Sequence, residues 1–432
     1  MKIGFYFENT IKLNAIPVPA SLDYIDPATW HASNQGYCAK IGFNGLCSLY
    51  WWIKKFNPDN IISKKIGENP NDCDTNVFVI TLSGNAAKYI YQNIFNFIKK
   101  ETLEFLHKHN ITIIIDYATE RQHMWHRPKF SVKHCWDYVV PTMINNAFAL
   151  DITVPIKFLN GYSEETLNQI RQNYPIHDKF PVNFSFDSYQ SFWLYLRYHL
   201  ERRPELRYAP NLNNVSSNNK FMICLMGVAK SHRIGIMSKL IEYKLFPSNS
   251  YVSLFFDGYT KNNLEYETNR LPKDFFNTAL VNFNENYTVD DFLTYNTLRH
   301  DDLTPPVDML NDTYLNLATE SWAGKVGSIP TEKTFKTFYW QKLPLIYGTK
   351  KIIHQLNDLG FEFLNIFDYT YDNMPGDEEE SIKMFCRNLK FLSKFEKKDI
   401  KHLHEKNINL IEHNYNLFMN KKLFDLVEHL FI

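Results

Sequence analysis

Only six cysteines occur in 432 residues, and none forms a Cys-x-x-Cys pair. Cys38, Cys47, Cys73, Cys135, Cys224 and Cys386 are too scattered for a disulfide framework or a structural zinc site, which points to a reducing compartment. Net charge is missing too, because 47 Lys and Arg balance 47 Asp and Glu. A chain without a net field has no general attraction for DNA, RNA or an anionic membrane. The basic pairs Lys54-Lys55, Lys99-Lys100 and Lys397-Lys398 lie in helical patterns and read as solvated faces. No window approaches about 18 uninterrupted apolar residues, so no transmembrane helix is expected. The start, Met1-Lys2-Ile3-Gly4-Phe5-Tyr6-Phe7-Glu8, lacks the regions of a signal peptide, and a cytoplasmic location is expected. Gly-x-Ser-x-Gly and Gly-x-x-x-x-Gly-Lys-Ser/Thr are absent, which removes the support for a nucleophile-elbow hydrolase or a P-loop enzyme.

What the chain does have is an ordinary globular composition and a length that suits two domains of roughly 200 residues each. Aromatic residues reach 16%, alongside many Asn, Lys and Ile. This reads as base-composition bias of the gene sooner than as a sugar-stacking surface. The hydrophobic pattern alternates short apolar runs with longer periodic ones. Strands are expected over 3–7, 77–82, 111–115 and 152–158, with helices over 44–55 and 86–109. The rhythm breaks in the Pro/Asn/Ser-rich stretch 210–217 and then restarts. Strands over 220–226, 251–256, 314–318, 343–347 and 361–367 then alternate with helices over 231–243, 332–340 and 350–359. Such alternation predicts an α/β protein with two doubly wound, Rossmann-like domains. The expected division is 1–209, 210–385, and C-terminal helices over 386–432 that pack back on the N-terminal domain. Ligands of such sheets bind beyond the carboxyl ends of the strands.

Thr331-Glu332-Lys333-Thr334-Phe335-Lys336 reads as a helix start. Thr331 suits the N-cap, and Glu332 suits the positive end of the macrodipole. Lys333 and Lys336 are out of place near such an end unless an anion binds there, when free N–H groups and two ammonium groups make a diphosphate site. By itself the segment is equally a helix start with surface charges. Its neighbours are informative: the apolar run Tyr314-Leu315-Asn316-Leu317-Ala318 leads to Glu320, and Leu343-Pro344-Leu345-Ile346-Tyr347 ends at Gly348. Upstream, Phe221-Met222-Ile223-Cys224-Leu225-Met226 runs into Gly227-Val228-Ala229-Lys230-Ser231-His232-Arg233, a strand-to-helix turn that suits an anion.

Over about 55 residues, 314–368, this succession resembles the donor domain of the α1,3/4-fucosyltransferase family. That family has an apolar strand ending in Phe-Glu-Asn-Ser, a Thr/Ser-Glu-Lys helix start and a hydrophobic–Pro–hydrophobic–Gly strand. The resemblance implies a GT-B fold, with two Rossmann-like domains facing a cleft. It also implies that Glu320, Glu332 and Lys333 contact a nucleotide-sugar donor, and that Arg233, with Lys230 nearby, contacts the diphosphate. Ala318-Thr319-Glu320-Ser321 lacks the family's Asn, and Lys336 is an additional cation. The expected partners are therefore a nucleotide-sugar donor, GDP-fucose first, and a saccharide or glycan acceptor. Neither a cofactor nor a metal is expected, the nucleotide-sugar being a co-substrate.

Inverting transfer also needs a carboxylate to take the acceptor's proton. Ile113-Ile114-Ile115-Asp116-Tyr117-Ala118-Thr119-Glu120 offers Asp116 at a strand end and Glu120 in the loop beyond it. Each is as readily a turn residue or a plain exposed carboxylate. His123, Trp125, His126 and His134 follow with no metal-ligand spacing. Asp72-Cys73-Asp74 has the form of a metal-binding Asp-x-Asp, but it precedes a strand instead of following one.

Overall fold

A computed structural model describes residues 1–7, 12–13, 16–17, 41–42, 49, 53–54, 57–82, 95–96, 98–116, 140–161, 168, 184–203, 207–208, 220–228, 230–255, 275, 307–324, 329–373 and 378–432. The chain divides into two compact units, Met1–Tyr198 with Lys422–Ile432, and His199–Lys421.

The sheet of the first unit contains β1 (Ile3–Phe7), β2 (Ile61–Lys65), β3 (Thr75–Leu82), β4 (Thr112–Asp116), β5 (Ile156–Asn160) and β6 (Phe184–Ser188). They lie in the order β2-β1-β3-β4-β5-β6, all parallel, and a two-residue strand, Ile41–Gly42, pairs antiparallel with the end of β3. Ile113, Ile114 and Ile115 are all buried, as expected for a strand covered on both faces. The unit's described α-helices include α1 (Lys100–Lys108), α2 (Val140–Ala149) and α3 (Ser191–Arg202), α3 running past Tyr198 into the second unit's residues. The expected helix 86–109 is interrupted. Lys99 is extended (φ −63°, ψ 149°) and only then does α1 begin. Just upstream, the Phe95 N–H donates to Asn146 Oδ1 at 3.0 Å, a tie to α2. Strands β2 and β6 were not read from sequence, because Ile61-Ile62-Ser63-Lys64-Lys65 and Phe184-Ser185-Phe186-Asp187-Ser188 are half polar.

The terminal segment Lys422–Ile432 belongs to this unit, whereas the helices before it group with the second. Thr75 Oγ1 donates to Phe431 O at 3.1 Å, Lys157 Nζ donates to Leu430 O at 2.8 Å, and the Phe5 and Phe431 rings meet edge-on at 5.8 Å.

The sheet of the second unit has four strands: β7 (Lys220–Val228), β8 (Ser250–Phe255), β9 (Thr313–Gly324) and β10 (Leu343–Thr349). Their order is β8-β7-β9-β10 and all pairs are parallel. The described helices are α4 (Ser231–Glu242), α5 (Val307–Asn311), α6 (Glu332–Tyr339), α7 (Ile352–Asp358), α8 (Glu378–Leu392), α9 (Lys397–Lys406) and α10 (Ile408–Asn420). α4 packs on α8, and α6 on α10. Segment 361–367 does not return to the sheet as a strand. Asn414 on α10 takes the Glu362 N–H on its Oδ1 and donates to Glu362 O, both at 2.8 Å. Those bonds occupy the groups that a strand would offer to its neighbour. Phe361, Leu364 and Phe367 enter the core regardless.

The topology decides where a ligand fits. From β7 the chain steps to β8 on one side and then crosses to β9 on the other. Right-handed crossovers running in opposite directions place α4 and α6 on opposite faces of the sheet. The sheet therefore opens between the carboxyl ends of β7 and β9, at its topological switch point. In the first unit the same reversal falls between β1 and β3.

Candidate functional site

The second switch point gathers the residues that the sequence singled out there. β7 leads into Lys230, which is extended and forms the N-cap of α4 without a side-chain hydrogen bond to the helix. Ser231 is the first helical residue. Arg233, one turn in, is 2% exposed and its Nη2 donates to Thr319 O at 3.1 Å. His232 Nε2 lies 3.0 Å from Glu320 O. The start of α4 is thus bonded to the end of β9.

Glu320 lies just beyond Thr319, the last residue in regular register with β10 before the pairing shifts. Its carboxylate turns inward and is 1% exposed. Oε1 accepts from the Thr331 N–H at 2.8 Å and from Thr334 Oγ1 at 2.6 Å, while Oε2 accepts from Thr331 Oγ1. Thr331 Oγ1 in turn accepts the Lys333 N–H at 3.3 Å, the N-cap bond anticipated from sequence. Gly348 makes this arrangement possible. A Cβ there would lie 3.0 and 3.1 Å from the Glu320 Cγ and Cβ, and 2.8 Å from the Ile352 Cδ1.

Glu332 and Lys333 follow at the first turn of α6, half-buried, with Lys333 Nζ paired to Glu332 Oε1. Burial by itself would raise the Glu332 carboxyl, but the charges of Lys333 and Lys336 outweigh it and hold the group at about 2. A carboxylate depressed from its ordinary value near 4.5 adds stability above that pH and loses it as the pH falls through about 2. The urea midpoint is therefore expected to fall between about pH 5 and about pH 2, and to fall less in Lys333→Ala. Identical pH profiles for the two proteins would contradict this.

Lys336 lies in the last turn of the helix, where the macrodipole favours a cation, and its Nζ sits 5.9 Å from the centre of the Trp340 ring. Because α6 is only eight residues long, Lys336 stands in its last turn and still acts on Glu332 four residues earlier.

In the first unit, Asp116 ends β4 and is 1% exposed. Tyr189 Oη, just past β6, lies 3.2 and 3.1 Å from its two oxygens. The bond reaches across β5, tying the carboxyl ends of β4 and β6 together. Glu120, His123, Trp125, His126 and His134 lie outside the described residues. The Asp-x-Asp carboxylates go separate ways: Asp72 pairs with Lys64, and Asp74 Oδ2 accepts the Lys2 N–H at 2.7 Å.

Thr334, His232 and Tyr189 were not singled out by sequence reasoning. Gly348 carried a signal as the end of an apolar run. The other three carried none, since their partners are 14, 88 and 73 residues away.

No family model matches the chain, and no curated protein matches it. Solved structures give loose superpositions along its length. The α,α-trehalose 6-phosphate synthase from Burkholderia multivorans is 8% identical, covers 99% of this chain and 98% of its own, and has a TM-score of 0.38. The UDP-GlcNAc 2-epimerase from Neisseria meningitidis, bound to UDP-GlcNAc, is 12% identical over 100% and 99%, with a TM-score of 0.34. The α,α-trehalose-phosphate synthase (UDP-forming) from Burkholderia vietnamiensis is 9% identical over 99% and 97%, with a TM-score of 0.31. Likenesses this distant carry no argument about activity, and the function is read from the residues. Among the described residues no helix is long and apolar enough to cross a membrane.

Proposed function

We propose that the chain is a glycosyltransferase of the GT-B kind. It would bind a nucleotide-diphosphate sugar at the switch point of the second sheet and transfer the sugar to a saccharide or glycan acceptor. One observation carries this reading: two helix N-termini, with Lys230 and Lys333 at their starts and the buried Arg233 guanidinium held by the Thr319 carbonyl, converge on the carboxyl ends of β7 and β9. Helix N-termini supply oriented N–H groups and partial positive charge, and flanking cations add charge-assisted bonds to phosphate. The same groups stabilise the diphosphate as it leaves and gains charge, so neither a metal nor a cofactor is invoked. Glu332 is proposed to accept from the hydroxyls of ribose or sugar, since its lowered pKa keeps it ionised.

By resemblance the first donor is GDP-fucose and transfer inverts the anomeric carbon. Inversion takes one displacement, in which the acceptor oxygen attacks, the bond to the diphosphate breaks, and a carboxylate receives the acceptor's proton. Asp116 and Glu120 are the proposed acceptors of that proton. Asp116 is already engaged by Tyr189, so direct proton transfer to it requires that bond to open.

The decisive experiment is nucleotide release from GDP-, UDP- and CMP-sugars with a chelator present. Release of GDP from GDP-fucose is expected, rising with added saccharide acceptors. Glycan binding with no release from any donor would replace this reading with that of a noncatalytic carbohydrate-binding protein. Release of UDP alone would keep the enzyme and change the donor.

A further inference from the structure

We infer that Glu320 is a positioning residue, a buried clamp that fixes the first turn of α6 against the end of β9 and acts on a bound anion only through that helix. The inference deepens the nucleotide-diphosphate reading and rests on it for the identity of the ligand.

A carboxylate removed from water costs several kcal/mol unless donors replace its hydration. Among the described residues Glu320 has three, and all belong to the start of one helix: the Thr331 N–H and the Thr331 and Thr334 hydroxyls. Thr331 and Thr334 are themselves 2% and 0% exposed. The positive end of the α6 dipole adds further compensation.

The donors form an ordered chain. With the Thr331 hydroxyl hydrogen committed to Oε2, its lone pairs are set for the Lys333 N–H. Backbone direction at Lys333, the residue whose ammonium is to meet phosphate, therefore traces back to the Glu320 carboxylate. The stem of Glu320 occupies the space that a Cβ at residue 348 would need, so Gly348 leaves room for it. On its other side the Glu320 carbonyl lies at His232 Nε2, and the neighbouring Thr319 carbonyl accepts from Arg233. One short stretch of β9 thus joins the starts of both helices and sets their spacing.

Direct contact between Glu320 and the donor was the expectation from resemblance. An enclosed anion would also repel a diphosphate placed against it, so the two roles differ in sign and can be separated.

The test uses the full-length protein, with amide exchange and calorimetry. In Glu320→Gln one acceptor oxygen becomes an NH2 donor facing Thr hydroxyls. Exchange at the Thr331 and Lys333 amides is expected to quicken about tenfold or more without ligand. Affinity for GDP or UDP is expected to fall about tenfold, and Lys333→Ala is expected to cost less in the Glu320→Gln background than in the wild type. Thr334→Val, which removes one donor at nearly constant volume, serves if Glu320→Gln does not fold, with the same effects at about threefold. Unchanged exchange, or fully additive losses in the double variant, would overturn the clamp. If the wild type binds neither nucleotide, the nucleotide-diphosphate reading fails, and amide exchange still decides whether the clamp exists.

Discussion

Replacing Lys333 with alanine is expected to weaken binding of GDP or UDP by about 10- to 150-fold, the worth of a charged hydrogen bond of roughly 1.5–3 kcal/mol. Lys333 stands at the first turn of α6 and its ammonium pairs with Glu332. Its removal takes away a phosphate donor and also leaves the Glu332 carboxylate without its nearest cation, facing an incoming anion. The second effect adds to the first. Lys336→Ala is the internal control. That ammonium lies in the last turn beside Trp340, and its loss is expected to cost less than about threefold. Calorimetry at one fixed ionic strength checks both, since salt screens the exposed part of the attraction. Equal affinity in wild type and Lys333→Ala would remove α6 from the proposed site.

The largest stability effect is expected at Phe338→Ala, about 3–5 kcal/mol. Phe338 is 1% exposed, its ring stacks on Phe361 at 4.0 Å and 13°, and Phe363 meets it edge-on at 6.2 Å. Phe335, on the same helix, stacks on Phe418 at 6.1 Å. These rings fasten α6 to segment 361–363 and to α10, so truncation opens a void that rigid neighbours fill only in part. Urea unfolding of the full chain measures the loss, and a change below about 1 kcal/mol would contradict the packing described. Because the same helix carries Lys333, weaker nucleotide binding is expected to accompany the lost stability.

Some of this was legible in the residues and some was not. Phe221–Met226, Tyr314–Ala318 and Leu343–Tyr347 are apolar runs too dense to face water on either side, and each is a buried parallel strand. Thr331 announced itself as an N-cap because that preference is local, set by one hydroxyl and an N–H two residues on. Segment 361–367 carries an equally apolar pattern yet forms no strand, since Asn414 on a later helix takes its backbone bonds. Periodicity records which side chains are buried and does not record which partner the backbone finds. The place of Lys336 in the last turn was not legible for a related reason, because the length of α6 depends on where Trp340 and Gln341 turn the chain.

The sequence by itself determined the class of the protein, parallel α/β, and the places where helices start after strands in its second half. Both follow from local preference and from the burial of apolar runs. Only the tertiary structure decided that Lys230, Arg233, Glu320 and Lys333 share one sheet edge. It also decided that the Glu320 carboxylate points inward to Thr331 and Thr334, and that Asp116 is held by Tyr189. Strand order and side-chain direction come from contacts between residues far apart in the chain, and no pattern within a short stretch encodes them.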